Sequence, residues 1–173
     1  MSAHALPDSL TLTPATDADG QGMAALIARI FADYENCPFV PDEFPELQAP
    51  ATYYSRKGGM LWVVKDATTT SIAGSIAITP THHAGEAELF KVYLAHHWRG
   101  SGVAQSLLAT AFDWARHSNL HSIVLWTDTR FVAGHRFYEK QGFVRLPGIR
   151  ALHDAASTFE FGYHLRLTET TAA

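Results

Sequence analysis

The chain has 173 residues, 47% hydrophobic and 17% charged, which is enough apolar material for a core and too little charge for a disordered segment. Its formal net charge is −4 and it contains no run of Lys or Arg, which excludes an electrostatic nucleic-acid or anionic-membrane surface. The single cysteine, Cys37, excludes an intramolecular disulfide and is expected to pack as a small apolar residue. No apolar stretch reaches bilayer length, and Met1–Asp8 lacks a basic region followed by an apolar one, so a cytoplasmic location is expected.

In chain order, Ser9–Thr13 alternates like a strand, and Asp17 or Asp19 can cap a following helix. Met23, Leu26, Ile27, Ile30, Phe31 and Tyr34 then recur at helical spacing. A proline-broken stretch runs from Cys37 to Pro45, and residues 46–57 suit a short helix. Leu61–Lys65 and Ile72–Thr79 read as strands joined by a hairpin turn, with Ile72, Gly74, Ile76 and Ile78 on one side. Glu86–Leu94 is the next strand.

A helix from Ser101 places Val103, Leu107, Leu108, Ala111, Phe112 and Ala115 on one face. Strand 122–127, helix 131–141 and strands Val144–Leu146 and Thr158–Leu167 complete the chain. The order β-α-α-β-β-β-α-β-α-β-β implies an α/β fold with a mixed, mostly antiparallel central sheet flanked by helices. One domain is expected over 1–173, with its core at about 10–167. The apolar last strand, Phe159–Leu167, is expected to present an edge that a partner copy could pair with, so a homodimer is compatible with the sequence.

Between the strand ending at Leu94 and the next helix lies Arg99-Gly100-Ser101-Gly102-Val103-Ala104. Two glycines let the backbone turn sharply and approach a ligand, and the unbonded N–H groups of a helix start favour a phosphate. The spacing fits neither a Walker loop nor the dinucleotide fingerprint.

A second motif follows one helix and one strand later, Phe137-Tyr138-Glu139-Lys140-Gln141-Gly142-Phe143. Together the two resemble the GCN5-related N-acetyltransferases. Arg99, Gly102 and Ala104 match that family's Gln/Arg-x-x-Gly-x-Gly/Ala pyrophosphate loop, and Tyr138–Phe143 match its Tyr-Glu-Lys-x-Gly-Phe helix end.

The resemblance implies acetyl-CoA as co-substrate, without a metal. The pyrophosphate would lie on the backbone of Arg99, Gly100, Ser101, Gly102, Val103 and Ala104, and the pantetheine arm along Val92, Tyr93 and Leu94. It also implies Tyr138 as general acid to the leaving thiolate, and a glutamate on the preceding strand, Glu88, as general base, with Glu86, His82 and His83 as competitors. A phenol with an ordinary pKa near 10 stays protonated and can donate at neutral pH. One departure stands out: where the family commonly has asparagine before the tyrosine, this chain has Phe131, leaving Asp128 or Arg130 as replacements.

The expected acceptor is the primary amine of a small molecule or of a protein, attacking the thioester directly. It would meet the loop after the first helix, with Tyr34, Glu35, Phe39 and Trp126 as candidate contacts and His153 and Asp154 as further lining. No metal site is expected, because the histidine pairs His82-His83 and His96-His97 lack a helical ligand spacing. The alternative is a non-catalytic acyl-CoA sensor or partner-binding module of the same fold.

Overall fold

The computed structural model describes residues 5–167. The elements are β1 (Leu10–Pro14), α1 (Gly20–Phe31), α2 (Pro50–Arg56), β2 (Met60–Asp66), β3 (Ser71–Pro80) and β4 (Glu86–Leu94). They continue with α3 (Val103–His117), β5 (Ser122–Asp128), α4 (Val132–Lys140), β6 (Val144–Arg145), β7 (Arg150–Ala151) and β8 (Phe159–Arg166). The strands form one sheet in the order β1-β2-β3-β4-β5-β8-β6, with β7 also on β8. Among the described residues only the β4–β5 pairing is parallel, as the crossover through α3 requires.

Apolar side chains cover both faces of this sheet. On one, α1 contributes Met23, Leu26, Ile27 and Ile30, which pack with Tyr54 of α2 against Leu61, Val63 and Ala77. On the other, the expected stripe of α3 is buried in full and meets Ile76, Ile78, Leu125, Tyr138 and Phe143. Leu107 is 1% exposed, and cutting such a side chain to alanine costs about 2–5 kcal/mol.

Several local expectations change in the structure. Ile72 lies on the α1 face while Gly74, Ile76 and Ile78 face α3. The β2–β3 register slips between Val64 and Lys65, so Ala73 has no partner, and that bulge switches the faces. The helix expected over 46–57 is split into a 3-10 turn, Pro45–Gln48, and α2. Pro50 offers no N–H to a continuous helix and holds Ala49 out of the helical region, but it fits the first position of α2.

Neither aspartate caps α1 with its side chain. Asp19 closes a capping box with Thr16, and Asp17 accepts from the N–H and hydroxyl of Thr52, tying the start of α1 to α2. β7 was not expected. It covers the far side of β8 together with β6, so β8 lies inside the sheet and the partner-pairing edge expected at Phe159–Leu167 is absent. No helix among the described residues is long and apolar enough to cross a membrane.

Candidate active site

β4 carries the feature that shapes the site. Its register to β3 slips between Ser75 and Ala77, and Lys91 sits at φ 52°, a left-handed conformation unusual for a residue with a Cβ. The extra residue puts Phe90 and Lys91 on the same face, where Phe90 joins the α1 cluster and the Lys91 ammonium meets Glu46 and the Phe44 ring. The buried Ser75 hydroxyl donates to the Lys91 carbonyl at 2.7 Å and holds the bulge.

Beyond this kink β4 leaves β5. The parallel ladder runs from Glu86–Ser122 to Leu89–Leu125 and stops, although β4 continues to Leu94 and β5 to Asp128. β5 stays paired to β8 as far as Asp128, so the opening lies between β4 and β5. A cleft of about 340 Å³ fills it, and Val92 and Tyr93 line one wall. Leu94 packs toward α3.

The glycine turn closes the same end of β4. Gly100 and Gly102 adopt φ 80° and 89°, and Gly102 is the N-cap of α3. Nothing lies within 4 Å of a Cβ built on Gly100, so the turn is open to a ligand. Ser106 donates to the Gly102 carbonyl, so the N–H groups of Val103, Ala104 and Gln105 precede the first intrahelical bond and are free for an anion. Ser101 turns its hydroxyl to the Trp98 carbonyl, and Arg99 is exposed without an ion pair among the described residues.

Tyr138, on α4, reaches the cleft from the α3 side. Its ring packs on Phe143 and Tyr163, and its hydroxyl has no hydrogen-bond partner among the described residues. Burial pushes the phenol well above its ordinary range, and Tyr163 adds to the shift. Tyr93 lines the cleft as well, raised by burial and by the phenol of Tyr138.

Glu88 lies one residue before the end of the β4–β5 ladder, half-buried and outside the cleft lining, and its carboxylate makes no hydrogen bond among the described residues. Burial raises its carboxyl, Arg150 opposes the rise, and Glu160 and Glu86 add to it. Glu86 accepts from Thr81, while His82 and His83 contact each other with tilted rings in an exposed loop.

The other wall is aromatic. Phe131, at the start of α4, packs on Tyr34 at 4.8 Å and on Phe31 at 5.8 Å, so it extends an apolar surface where the family commonly has asparagine. Asp128 and Arg130 bond to each other. Arg130 also donates to the Asn36 carbonyl and to Thr158, clamping the loop after α1 to the start of β8. Glu43 reinforces that clamp by accepting the N–H of Ala155 at 2.6 Å.

Of the candidate acceptor contacts, Trp126 lines the cleft and Tyr34 stands behind Phe131. Glu35 is exposed away from it, and Phe39 stacks on Phe44 beside a second hollow next to α1. Asp154 lines the cleft, whereas His153 is exposed outside it. Sequence reading missed Lys91, Thr158 and Glu160, whose places depend on the bulge and on β8. Cys37 also lines the cleft, and burial raises its thiol, as a packed neutral cysteine requires. Among the described residues no group of His, Cys, Asp or Glu is arranged to hold a metal.

The family model for the acetyltransferase (GNAT) family matches residues 27–143, from the middle of α1 to the end of the Tyr138 motif. The chain belongs to the GNAT family. Among solved structures, this GNAT acetyltransferase fold is similar to one of the same family from Staphylococcus aureus, with TM-score 0.77 and 18% identity, covering 92% of this chain and 99% of that one. It is also similar to a Salmonella typhimurium acetyltransferase structure containing its cofactor acetyl-CoA, with TM-score 0.69 and 18% identity, covering 95% and 98%.

Curated relatives include N-acetylaspartate synthetase of Danio rerio, 28% identical over 96 residues, covering 56% of this chain and 33% of the relative. N-acetyltransferase 8 of Homo sapiens is 25% identical over 120 residues, covering 66% and 53%. The chain thus spans a third to about half of the length of these two relatives.

Proposed function

We propose that this GNAT protein moves the acetyl group of acetyl-CoA to the primary amine of a small molecule by direct attack. The observation that carries the reading is the cleft where β4 leaves β5, with a buried phenol on one wall that has no hydrogen-bond partner among the described residues, and an open glycine turn following β4. A pantetheine arm would pair with the strand edge left open by the splay, at Val92, Tyr93 and Leu94. The pyrophosphate would rest on the turn from Arg99 to Ala104.

In this reading Glu88, directly or through water, accepts the proton that the ammonium must lose. The amine nitrogen then bonds to the thioester carbonyl carbon and gives up its second proton to solvent, the C–S bond breaks, and the sulfur leaves with the bonding pair. Tyr138 donates its proton to that sulfur, giving free CoA and the amide, and regains it from solvent. The raised phenol keeps its proton through neutral pH and is suited to the donor role. The raised carboxyl of Glu88 lies nearer the working pH of a base than an exposed glutamate does. The relatives named for N-acetylaspartate make aspartate one acceptor to test.

Thermal unfolding with acetyl-CoA, CoA or ATP tests the cofactor half, because a ligand bound only to the folded state raises the midpoint. The expected result is a rise with acetyl-CoA and CoA and none with ATP. No rise at saturating acetyl-CoA would overturn the reading.

A further inference from the structure

The charges around the acceptor side of the cleft are matched in a one-sided way. Lys91 and Arg130 are the cations that line it. Lys91 is bound to Glu46, with its side chain 15% exposed. Arg130 spends its Nε and one terminal nitrogen on Asp128, shares the latter with Thr158, and turns the other to the Asn36 carbonyl. A third cation, Arg150, stands behind Trp126 with its guanidinium 4.4 Å from the ring, and gives two bonds to Glu160 at 2.6 and 2.8 Å.

Every one of these cations is thus matched to a carboxylate, and of the carboxylates that line the cleft Glu43 and Asp154 are left over. Glu43 and Asp154 accept from backbone N–H groups, which orients them without cancelling their charge. Apart from Thr127 and Thr158 the remaining lining is largely apolar and aromatic, with Phe31, Phe44, Tyr93, Trp126 and Phe131 around the opening.

An amino acid brings a carboxylate next to its amine. In this cleft that carboxylate would meet surplus negative charge and no unmatched cation among the described residues. Freeing Arg130 or Lys91 to receive it would strand Asp128 or Glu46, whose side chains are each 10% exposed. A protonated amine, by contrast, gains from the surplus negative charge, and a ring beside it gains from the aromatic wall.

We propose that the acceptor is a primary amine on an apolar, ring-bearing body without a carboxylate beside the amine. This rests on the transferase reading above and names its substrate class. Amino-acid acceptors, aspartate included, are excluded by charge rather than by size.

Matched pairs that differ only by the carboxylate test it: phenethylamine against phenylalanine and tryptamine against tryptophan, with aspartate alongside. The readout is CoA release with acetyl-CoA, and acetyl-CoA stabilisation is measured in parallel. The expected kcat/KM for each amine exceeds that of its amino acid by about 100-fold. In Glu160→Gln, which frees Arg150, the preference is expected to shrink by about tenfold.

Equal or better turnover of the amino acids overturns the proposal, as does an unchanged preference in Glu160→Gln. Turnover of no amine overturns it too, and the parallel arm then separates the causes. If acetyl-CoA still raises the midpoint, the substrate class alone is wrong. If it does not, the transferase reading falls with it.

Discussion

Replacing Tyr138 by phenylalanine separates chemistry from packing unusually well at this site. The ring sits among Phe143, Tyr163 and Phe137, and phenylalanine keeps all of those contacts. The hydroxyl has no hydrogen-bond partner among the described residues, so its removal leaves no buried group newly unsatisfied. The stability change is therefore expected to stay within about 1 kcal/mol, a midpoint shift under about 4 °C for a chain of this size. Loss of a positioned general acid lowers the chemical step by about 100- to 1,000-fold, equivalent to about 3–4 kcal/mol of transition-state stabilisation. Steady-state CoA release should show that fall in kcat with KM for acetyl-CoA nearly unchanged, since the pantetheine contacts proposed here lie on β4. The raised phenol also predicts that wild-type activity shows no alkaline loss from Tyr138 between pH 7 and 9. A kcat within twofold of wild type, on a folded protein, would refute the general-acid role and leave Tyr138 as a wall of the cleft.

Gly102→Val forces a β-branched residue to φ 89° at the N-cap of α3, and should raise the Kd for CoA at least tenfold by calorimetry; unchanged affinity would remove the pyrophosphate from that turn. Glu88→Gln should lower kcat/KM by about 10- to 100-fold at pH 8 and abolish the acid limb of its pH profile. The charged groups acting on Glu88 are Arg150, Glu160, Glu86 and Lys57, with burial the largest influence. Because its carboxyl is raised on folding, the native state holds that proton more tightly than the unfolded chain, so this group's contribution to stability falls as pH rises through the raised value. The glutamine variant should therefore gain midpoint relative to wild type at pH 8 and not at pH 4; a loss at pH 8 would contradict that sign. Arg130→Ala leaves Asp128 without its partner and releases Asn36 and Thr158, which predicts a loss of about 1–3 kcal/mol. It also predicts a severalfold rise in acceptor KM with KM for acetyl-CoA unchanged, and equal rises in both would place Arg130 outside the acceptor wall.

What could be read from the sequence follows from the range of the forces involved. The glycine turn and the stripes of α1 and α3 are local patterns, set by backbone freedom and helical period, and they reappear almost unchanged. The order of strands and helices along the chain was legible because alternation and helical period are local too. The Lys91 bulge was not, since a lysine at φ 52° carries no sequence mark and is held by Ser75 from the neighbouring strand. The ion pairs Lys91–Glu46 and Arg150–Glu160 join residues from different elements, so the cleft's charge cannot be summed before the fold is known. β7 has two residues and exists only because β8 offers it a free edge. Phe131 looked like a lost polar contact in the motif. Beside Tyr34 and Phe31 it is instead part of an aromatic wall that other segments complete.

The bulge links the two halves of the proposed chemistry. A regular β4 would continue its ladder with β5 beyond Leu89, and the strand edge needed for a pantetheine arm would be consumed by the sheet. With the extra residue, β4 turns away and that edge opens. The same residue changes the alternation, so Lys91 faces Glu46 and Phe44 beneath the loop after α1 rather than the core under α3. A bulge removed by deletion would therefore close the cleft and send a charged side chain into an apolar cluster at once. That double cost explains why the strained conformation is tied down by Ser75 on one side and by Glu46 on the other. It also places the cofactor groove and the acceptor wall on one structural device, so disturbance of the bulge should impair both binding steps together, whereas disturbance of the Arg130 clamp should impair one.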